Sequence, residues 1–514
     1  MQAPTRRKML LSLLLAVSMG LNGVGALCAP ADRIIVKYRD ASAAHPGESL
    51  AGERLDRLGG LAGTRLTALR RMSGGAEVLM LPEAMSQSDL KAVAARLARD
   101  PDVLYAEPDR LMRPRFVPND EFYAEQWSLF EDAGGARVQE AWDIERGVPE
   151  IVVALIDTGI LDHEDLDPSR FVPGYDFISD PQMANDGDGR DADPADPGDA
   201  VAAGECEVGE PPQASTWHGT QISGIIGATT DNLIGIAGVT HGARLLMARV
   251  LGKCGGFTSD IVDAMRWAAG LSVPGVADNP QPARVINLSF GGEGSCSGIE
   301  QDAINDVNAA GAVVLVAAGN ESTSASTLSP ANCDGVVTVA ATTRSGARAS
   351  YTNTGPEVDI SAPGGDDDST ENAVLTISNT GLDGQQDDDY AFLIGTSVAT
   401  AHASGIAALV LSANDALSSA QVRGILRDTA RRFPDASCTM FSCGSGIVDA
   451  QAAVQSALGT TADQDNGSDG GGGGGCTQIH HARTDPVDPL LPVLVAGAAL
   501  VLLRRMRKAA RRSR

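Results

Sequence analysis

Between residues 119 and 460 two hydrophobic patterns alternate. One is the unbroken apolar run, seen in EIVVALIDTGI from Glu150 to Ile160, ARVINLSF from Ala283 to Phe290 and GAVVLVAAGN from Gly311 to Asn320. A strand with no polar face is buried on both sides, which predicts a parallel sheet covered by helices. The other pattern is helical spacing, over 259–269 and 299–310 between those runs. The expected architecture is α/β: a doubly wound, mostly parallel sheet with helices on both faces. Such sheets gather their sites at the carboxyl ends of the strands, where Asp157, Ser289 and Asn320 fall.

Residues 32–115 pattern differently. RIIVKYRD (Arg33–Asp40) and DVLYAEPDR (Asp102–Arg110) read as strands, and SDLKAVAARLARD (Ser88–Asp100) as a helix opened by a serine. These predict a small α+β unit, separated from the larger one by a connector rich in Arg and Pro, Arg110–Pro118. At the N-terminus, Arg6, Arg7 and Lys8 precede an apolar run from Met9 to Val17 and then small residues to Ala31. That order is the order of an export signal, over 1–31. The segment 461–475 ends in six glycines and reads as a flexible linker. Beyond it, 476–514 holds Cys476, an apolar stretch from Pro489 to Leu503 and a basic end. Fifteen helical residues reach about 22 Å, short of a ~30 Å hydrocarbon core. The Arg and Lys cluster suits a cytoplasmic C-terminus during export.

Composition narrows the function. Aromatics are 4% of the chain, so the core must be aliphatic and small. The formal charge of −26 excludes nucleic acid as the natural partner, because phosphate contact needs Lys and Arg. Eight cysteines are present. Cys28 lies in the signal and Cys476 in the tail, leaving Cys206, Cys254, Cys296, Cys333, Cys438 and Cys443. In an exported chain an even number predicts disulfides, and no CxxC pair supports zinc. Six cysteines allow 15 pairings. Cys438 and Cys443 are close enough in sequence for a local bridge.

Three segments carry candidate chemistry. LIDTGI puts Asp157 at the end of a buried strand. STWHGTQISGIIG puts His218 just before a helix of small and apolar residues, and IGTSVATAHASGIAALV puts Ser397 at the start of another. A serine hydroxyl is a weak nucleophile and needs an adjacent base. Histidine titrates near neutrality, so it can take the proton and return it. Its second nitrogen needs an acceptor, which a carboxylate such as Asp157 supplies. A helix N-terminus at Ser397 adds a backbone N–H and a positive dipole end for a developing oxyanion.

The order Asp…His…Ser, with DTGI, HGT, AAGN and GTS…A, resembles the subtilisin family of serine proteases from about residue 119 to 455. The segment 32–115 resembles that family's inhibitory propeptide. The resemblance implies a secreted serine endopeptidase, made as a self-processed zymogen, that cleaves extended protein and peptide substrates through an acyl-enzyme. It implies Asp157, His218 and Ser397 as the catalytic triad and Asn320 as the oxyanion donor. It also implies substrate lying beside Ser289, Phe290 and Gly291 on one side and Gly255 and Gly256 on the other. Glu321 would then stand at the rim of the first specificity pocket, or be an exposed loop carboxylate. Two positions depart from the family pattern: Val398 stands where Met is usual and Ala401 where Pro is usual. Both are small and apolar, so the helix start should survive.

The resemblance, with spacing, pairs Cys206 with Cys254 and Cys296 with Cys333. It also favours structural Ca²⁺. The segment Asn185–Asp199 has six Asp among Gly and Pro, and Asp186, Asp188, Asp191 and Asp196 are candidate ligands, with Asp165 at another family position. Arg190 breaks EF-hand spacing, and a solvated acidic loop is the alternative. The tail resembles bacterial C-terminal sorting tags, which implies export machinery and a sorting peptidase as partners and a cell-surface or extracellular product. A catalytically dead binding protein and a membrane-tethered structural protein are the readings from other classes. The intact Asp157, His218, Asn320 and Ser397 argue against the first, and the short apolar tail against the second.

Overall fold

The structure is a computed structural model that describes residues 31–39, 52–85, 87–110, 115–366 and 368–459. The expected signal, linker and tail, with Cys28 and Cys476, lie outside the described residues. The rest divides into two compact units, one ending at Pro108 and one beginning at Asp109.

The small unit is an antiparallel sheet of β1 (Ala31–Tyr38), β2 (Thr67–Arg71), β3 (Glu77–Met85) and β4 (Val103–Pro108), in the order β2-β3-β1-β4. Two helices, α1 (Gly52–Ala62) and α2 (Gln87–Leu97), accompany it. Its core is aliphatic: Ile34 and Val36 of β1 meet Leu58 of α1 and Leu90 and Leu97 of α2.

The large unit is built on β5 (Val152–Asp157), β6 (Phe171–Asp176), α3 (His218–Gly227), β7 (Arg244–Arg249), α4 (Thr258–Ala268), β8 (Val285–Leu288), α5 (Gly298–Ala309), β9 (Val313–Ala317), β10 (Val337–Thr342) and β11 (Ile360–Pro363). A hairpin of β12 (Val374–Asn379) and β13 (Asp388–Leu393) follows, then α6 (Thr396–Ala413), α7 (Ser419–Asp428) and α8 (Ala450–Gly459). Seven strands form one sheet, β11-β10-β9-β8-β5-β7-β6, and every pairing in it is parallel. The unbroken apolar runs are buried on both faces as expected. In β5, Val153 and Leu155 enter one hydrophobic core, while Val152, Ala154 and Ile156 enter the other.

One boundary differs from the sequence reading, for a plain reason. The large unit begins before residue 119, because Phe116 stacks edge-on against Trp142 at 5.9 Å and under the Arg146 guanidinium at 4.0 Å. Helix α6 is long and apolar enough to cross a membrane, yet 83% of it is buried inside the unit. Its composition is that of a core helix.

Candidate active site

The three candidate segments converge where the strands end. β5 delivers Asp157 at its last position, fully buried. His218 opens α3, and its Nδ1 lies 2.7 Å from Asp157 Oδ1. The tight join is made by glycine: a Cβ at Gly219 would stand 2.2 Å from the Gly159 carbonyl oxygen. So the Gly of HGT is required by the backbone of DTG, while Gly159 is a glycine for its own reason: its φ is +119°, and a Cβ there would stand 2.9 Å from the Pro194 carbonyl oxygen. Thr158 reinforces the join. Its N–H donates to Asp157 Oδ1 at 2.8 Å, and its Oγ1 accepts the Gly219 N–H at 3.0 Å.

Ser397 lies in the first turn of α6. Its hydroxyl donates to the Ser289 carbonyl at 2.6 Å, and the Ser289 hydroxyl donates to the Ser397 carbonyl at 3.2 Å. Asn287 and Ser404 extend this chain into the core, both fully buried. Val398 and Ala401 are buried and leave α6 unbroken, as expected.

Asn320 follows the end of β9. Its Oδ1 accepts from the Thr396 N–H and Oγ1, each at 2.9 Å. Those two donors fix the amide orientation, since only oxygen can accept them, and leave Nδ2 as the free donor end. Gly319 must be glycine: its φ is +100°, and a Cβ would meet Asn353 Nδ2 at 2.3 Å.

The electrostatics suit a base. Burial alone would lower the His218 pKa, but the Asp157 charge and hydrogen bond outweigh it and hold the imidazole above its ordinary value. Asp199 and Asp196 add smaller contributions in the same direction.

A cleft of about 470 Å³ runs beside this cluster, lined by His218, Ser289, Phe290 and Gly255 with Asp199 and Glu210. The expected substrate-facing glycines divide. Around Gly255 a Cβ would meet open space, whereas at Gly256 it would strike the Val250 carbonyl at 2.2 Å and at Gly291 the Leu328 side chain at 2.7 Å. At Gly256 and Gly291 the chain itself already excludes a side chain. Glu321 is exposed and accepts from Asn353 Nδ2 at 2.6 Å.

All three expected disulfides have bonding geometry. Sulfur separations are 2.05 Å for Cys206–Cys254, 1.97 Å for Cys296–Cys333 and 2.15 Å for Cys438–Cys443. The first ties the Val201–Gln213 loop to the Gly252–Gly255 turn at the cleft.

The acid-rich segment does not gather its carboxylates. Asp186 bonds Arg249 at 2.8 Å and accepts the Asp188 N–H, Asp191 accepts the Asp193 N–H, and Asp196 accepts from Thr158 Oγ1 and the Gly198 N–H. Among the described residues no group of three or more His, Cys, Asp or Glu is placed to hold a metal ion. Asp165 stands apart from this segment, fully buried, accepting from Asn232 Nδ2 at 2.9 Å and the Ile236 N–H at 2.7 Å.

A parallel α/β sheet with an Asp–His pair, a serine at a helix start and an oriented amide at the strand ends defines a serine hydrolase. The comparisons narrow the class. The model of the Subtilase family matches residues 149–474, and the chain belongs to that family. It is 42% identical over 438 residues to an extracellular protease of Xanthomonas campestris, covering 85% of this chain and 72% of that one. It is 40% identical to an extracellular basic protease of Dichelobacter nodosus, covering 83% and 71%. Among solved structures, a protease of Pseudoalteromonas arctica is 47% identical with a TM-score of 0.65, covering 66% of this chain and all of that one. The protein is a secreted serine endopeptidase.

Proposed function

We propose that Ser397 is the nucleophile, His218 the general base and Asp157 the residue that orients it, in an enzyme that cleaves extended polypeptides through an acyl-enzyme. The observation that carries this reading is the 2.7 Å bond from Asp157 to His218 Nδ1, which commits the other ring nitrogen to the substrate side. The Ser397 hydroxyl exchanges its bond to the Ser289 carbonyl for one to His218 Nε2 and attacks the scissile carbonyl as the imidazole takes its proton. Asn320 Nδ2 and the Ser397 N–H receive the oxyanion. The imidazolium then protonates the leaving amine, and water repeats the sequence to release the acyl group.

The small unit acts as an inhibitory propeptide that the enzyme removes itself, and the C-terminal tail is removed after export. Ser397→Ala expressed in a protease-free host should give no cleavage, no fluorophosphonate labelling and an uncut precursor. A fully trimmed chain from that variant would refute self-processing. Intact mass of the extracellular protein tests the tail: a species ending at Arg514 would refute its removal.

Calcium finds little support in the acid-rich segment, where Asp186, Asp191 and Asp196 already accept bonds from within the chain. It fits better at Asp165. Burial pushes that carboxyl up to about 7, and Asp120, also buried, adds repulsion beside the same 231–236 loop. A bound cation would relieve both and brace the loop. EDTA should then lower Tm in the parent and not in Asp165→Asn; equal Tm values with and without EDTA in the parent would exclude the site.

A further inference from the structure

Arg249 ends β7, paired in register with Asp157 of β5 on one side and Asp176 of β6 on the other. Its side chain is 1% exposed, and its guanidinium donates to four acceptors. Nη1 reaches Asp176 and, at 2.8 Å, Asp186; Nη2 reaches the Ala184 carbonyl; Nε reaches the Thr158 carbonyl at 3.0 Å. Two carboxylates and two carbonyls around one buried positive group make an oxygen set of the kind that holds a hard cation. Here a guanidinium occupies its centre. A second arginine, Arg190, clips the same segment to the Phe177 carbonyl, Asp260 and Asp263.

We propose that Arg249 is the resident cation of the acid-rich loop and, through Thr158, a positioning residue for Asp157. The route is short. Arg249 fixes the Thr158 carbonyl, and the Thr158 N–H donates to Asp157 Oδ1. The Thr158 hydroxyl donates to Asp196 at 2.8 Å and accepts from Gly219, the residue after His218. One residue therefore joins the loop, the catalytic carboxylate and the first turn of α3, and Arg249 holds that residue's backbone from below. A change in its orientation would move Asp157 Oδ1 against His218 Nδ1. The loop keeps its shape without a divalent metal because its positive charge is covalently part of the chain. This inference rests on the reading of Asp157 and His218 as the catalytic pair.

The test compares Arg249→Met, Arg249→Lys and the double variant Arg249→Met/Asp176→Asn. The single Met variant should lose Tm, because it strands a buried carboxylate. The double variant should recover Tm, because no charge is then buried alone. Its kcat should nevertheless stay down, on the order of 10²-fold, with KM nearly unchanged, as for displaced catalytic geometry. Arg249→Lys keeps the charge and loses the fork, and should fall between. A double variant with parental kcat would overturn the positioning role. A second arm needs no catalysis: hydrogen exchange over residues 184–199 in Ser397→Ala protein, with and without EDTA. Protection should be indifferent to EDTA and lost on adding Arg249→Met. Loosening by EDTA while Arg249 is present would show that a metal holds the loop. The exchange arm stands whatever the triad assignment, so failure of the two readings can be told apart.

Discussion

The two ends of the active site are held in place by different physics. Ser397 sits on α6, an 18-residue helix with no Asp, Glu, Lys or Arg, buried along most of its length and positioned by close packing. Asp157 sits among buried charges: Arg249, Asp176 and Asp196 all lie in its neighbourhood, each at most 3% exposed. The packed end is tolerant in direction and costly in stability, because dispersion and burial are summed over many contacts. The charged end depends on a few directional bonds, so it can lose geometry before it loses the fold.

The sharpest way to break this contrast is a cavity at the packed end. Ile406 is fully buried on α6. Ile406→Ala should destabilise the protein by about 2–5 kcal/mol, the usual range for such truncations. The kcat of the molecules that remain folded should change little. If kcat falls as steeply as in the Arg249 variants while Tm holds, the two ends do not differ in the way described.

The same contrast explains what could be read from the sequence. The parallel sheet, α6 and the three segments that meet at the strand ends were legible because periodicity and motif are local: a run such as Val152–Asp157 declares its two-sided burial within six residues. The motif HGT is itself local, although the reason for its glycine is not: Gly219 is crowded by the backbone of Gly159, remote in sequence. The charged end was not legible. Arg249 lies 73 residues from Asp176 and 63 from Asp186, and nothing in either neighbourhood names the other. Six Asp in a glycine-rich stretch read as a metal loop, and nothing local showed that one of them, Asp186, bonds an arginine from another strand. The β12–β13 hairpin was missed for a different reason. β13 is exposed or half-buried along its whole length and carries Asp388 and Asp389, so it lacks the unbroken apolar run that marked the central strands. Gly256 and Gly291 were read as openings for substrate; the chain's own crowding, invisible in the sequence, is a further reason for glycine at both.

A smaller effect separates the ends by pH. His402 on α6 is 1% exposed, between the Val398 carbonyl and the Ser128 hydroxyl, and burial pushes its pKa down to about 4. The unfolded chain binds that proton near 6.5, so acidification favours unfolding from about pH 6.5 down to about 4. The loss reaches about 3 kcal/mol at the lower limit. The charged end moves the other way. Burial pushes Asp176 up to about 7 and Asp196 up to about 6, so each costs stability above its unfolded pKa, a cost relieved as pH falls through the folded value. Tm measured from pH 7 to 5 in inactive Ser397→Ala protein should fall less in His402→Gln and more in Asp196→Asn than in the parent. Parallel curves would remove this distinction.

The smallest expected effect lies at the boundary between the ends, on His218 itself. Asp157 provides the main force that raises its pKa against burial, and Asp199 provides a lesser one from the wall of the cleft. Asp199 is held by the Thr216 N–H at 2.6 Å and the Thr216 hydroxyl at 2.7 Å, two residues before His218. Asn at that position keeps an oxygen to accept the Thr216 N–H and removes the charge. A lost negative charge disfavours the imidazolium, so the neutral base persists to lower pH. The acid limb of the kcat/KM profile of Asp199→Asn should therefore move to lower pH, with the plateau unchanged. The shift is smaller than any effect of Asp157, because this carboxylate does not bond the ring. An unchanged acid limb with a lowered plateau would show that Asp199 acts by holding Thr216 in place, and a limb moved to higher pH would contradict the electrostatic account of the base.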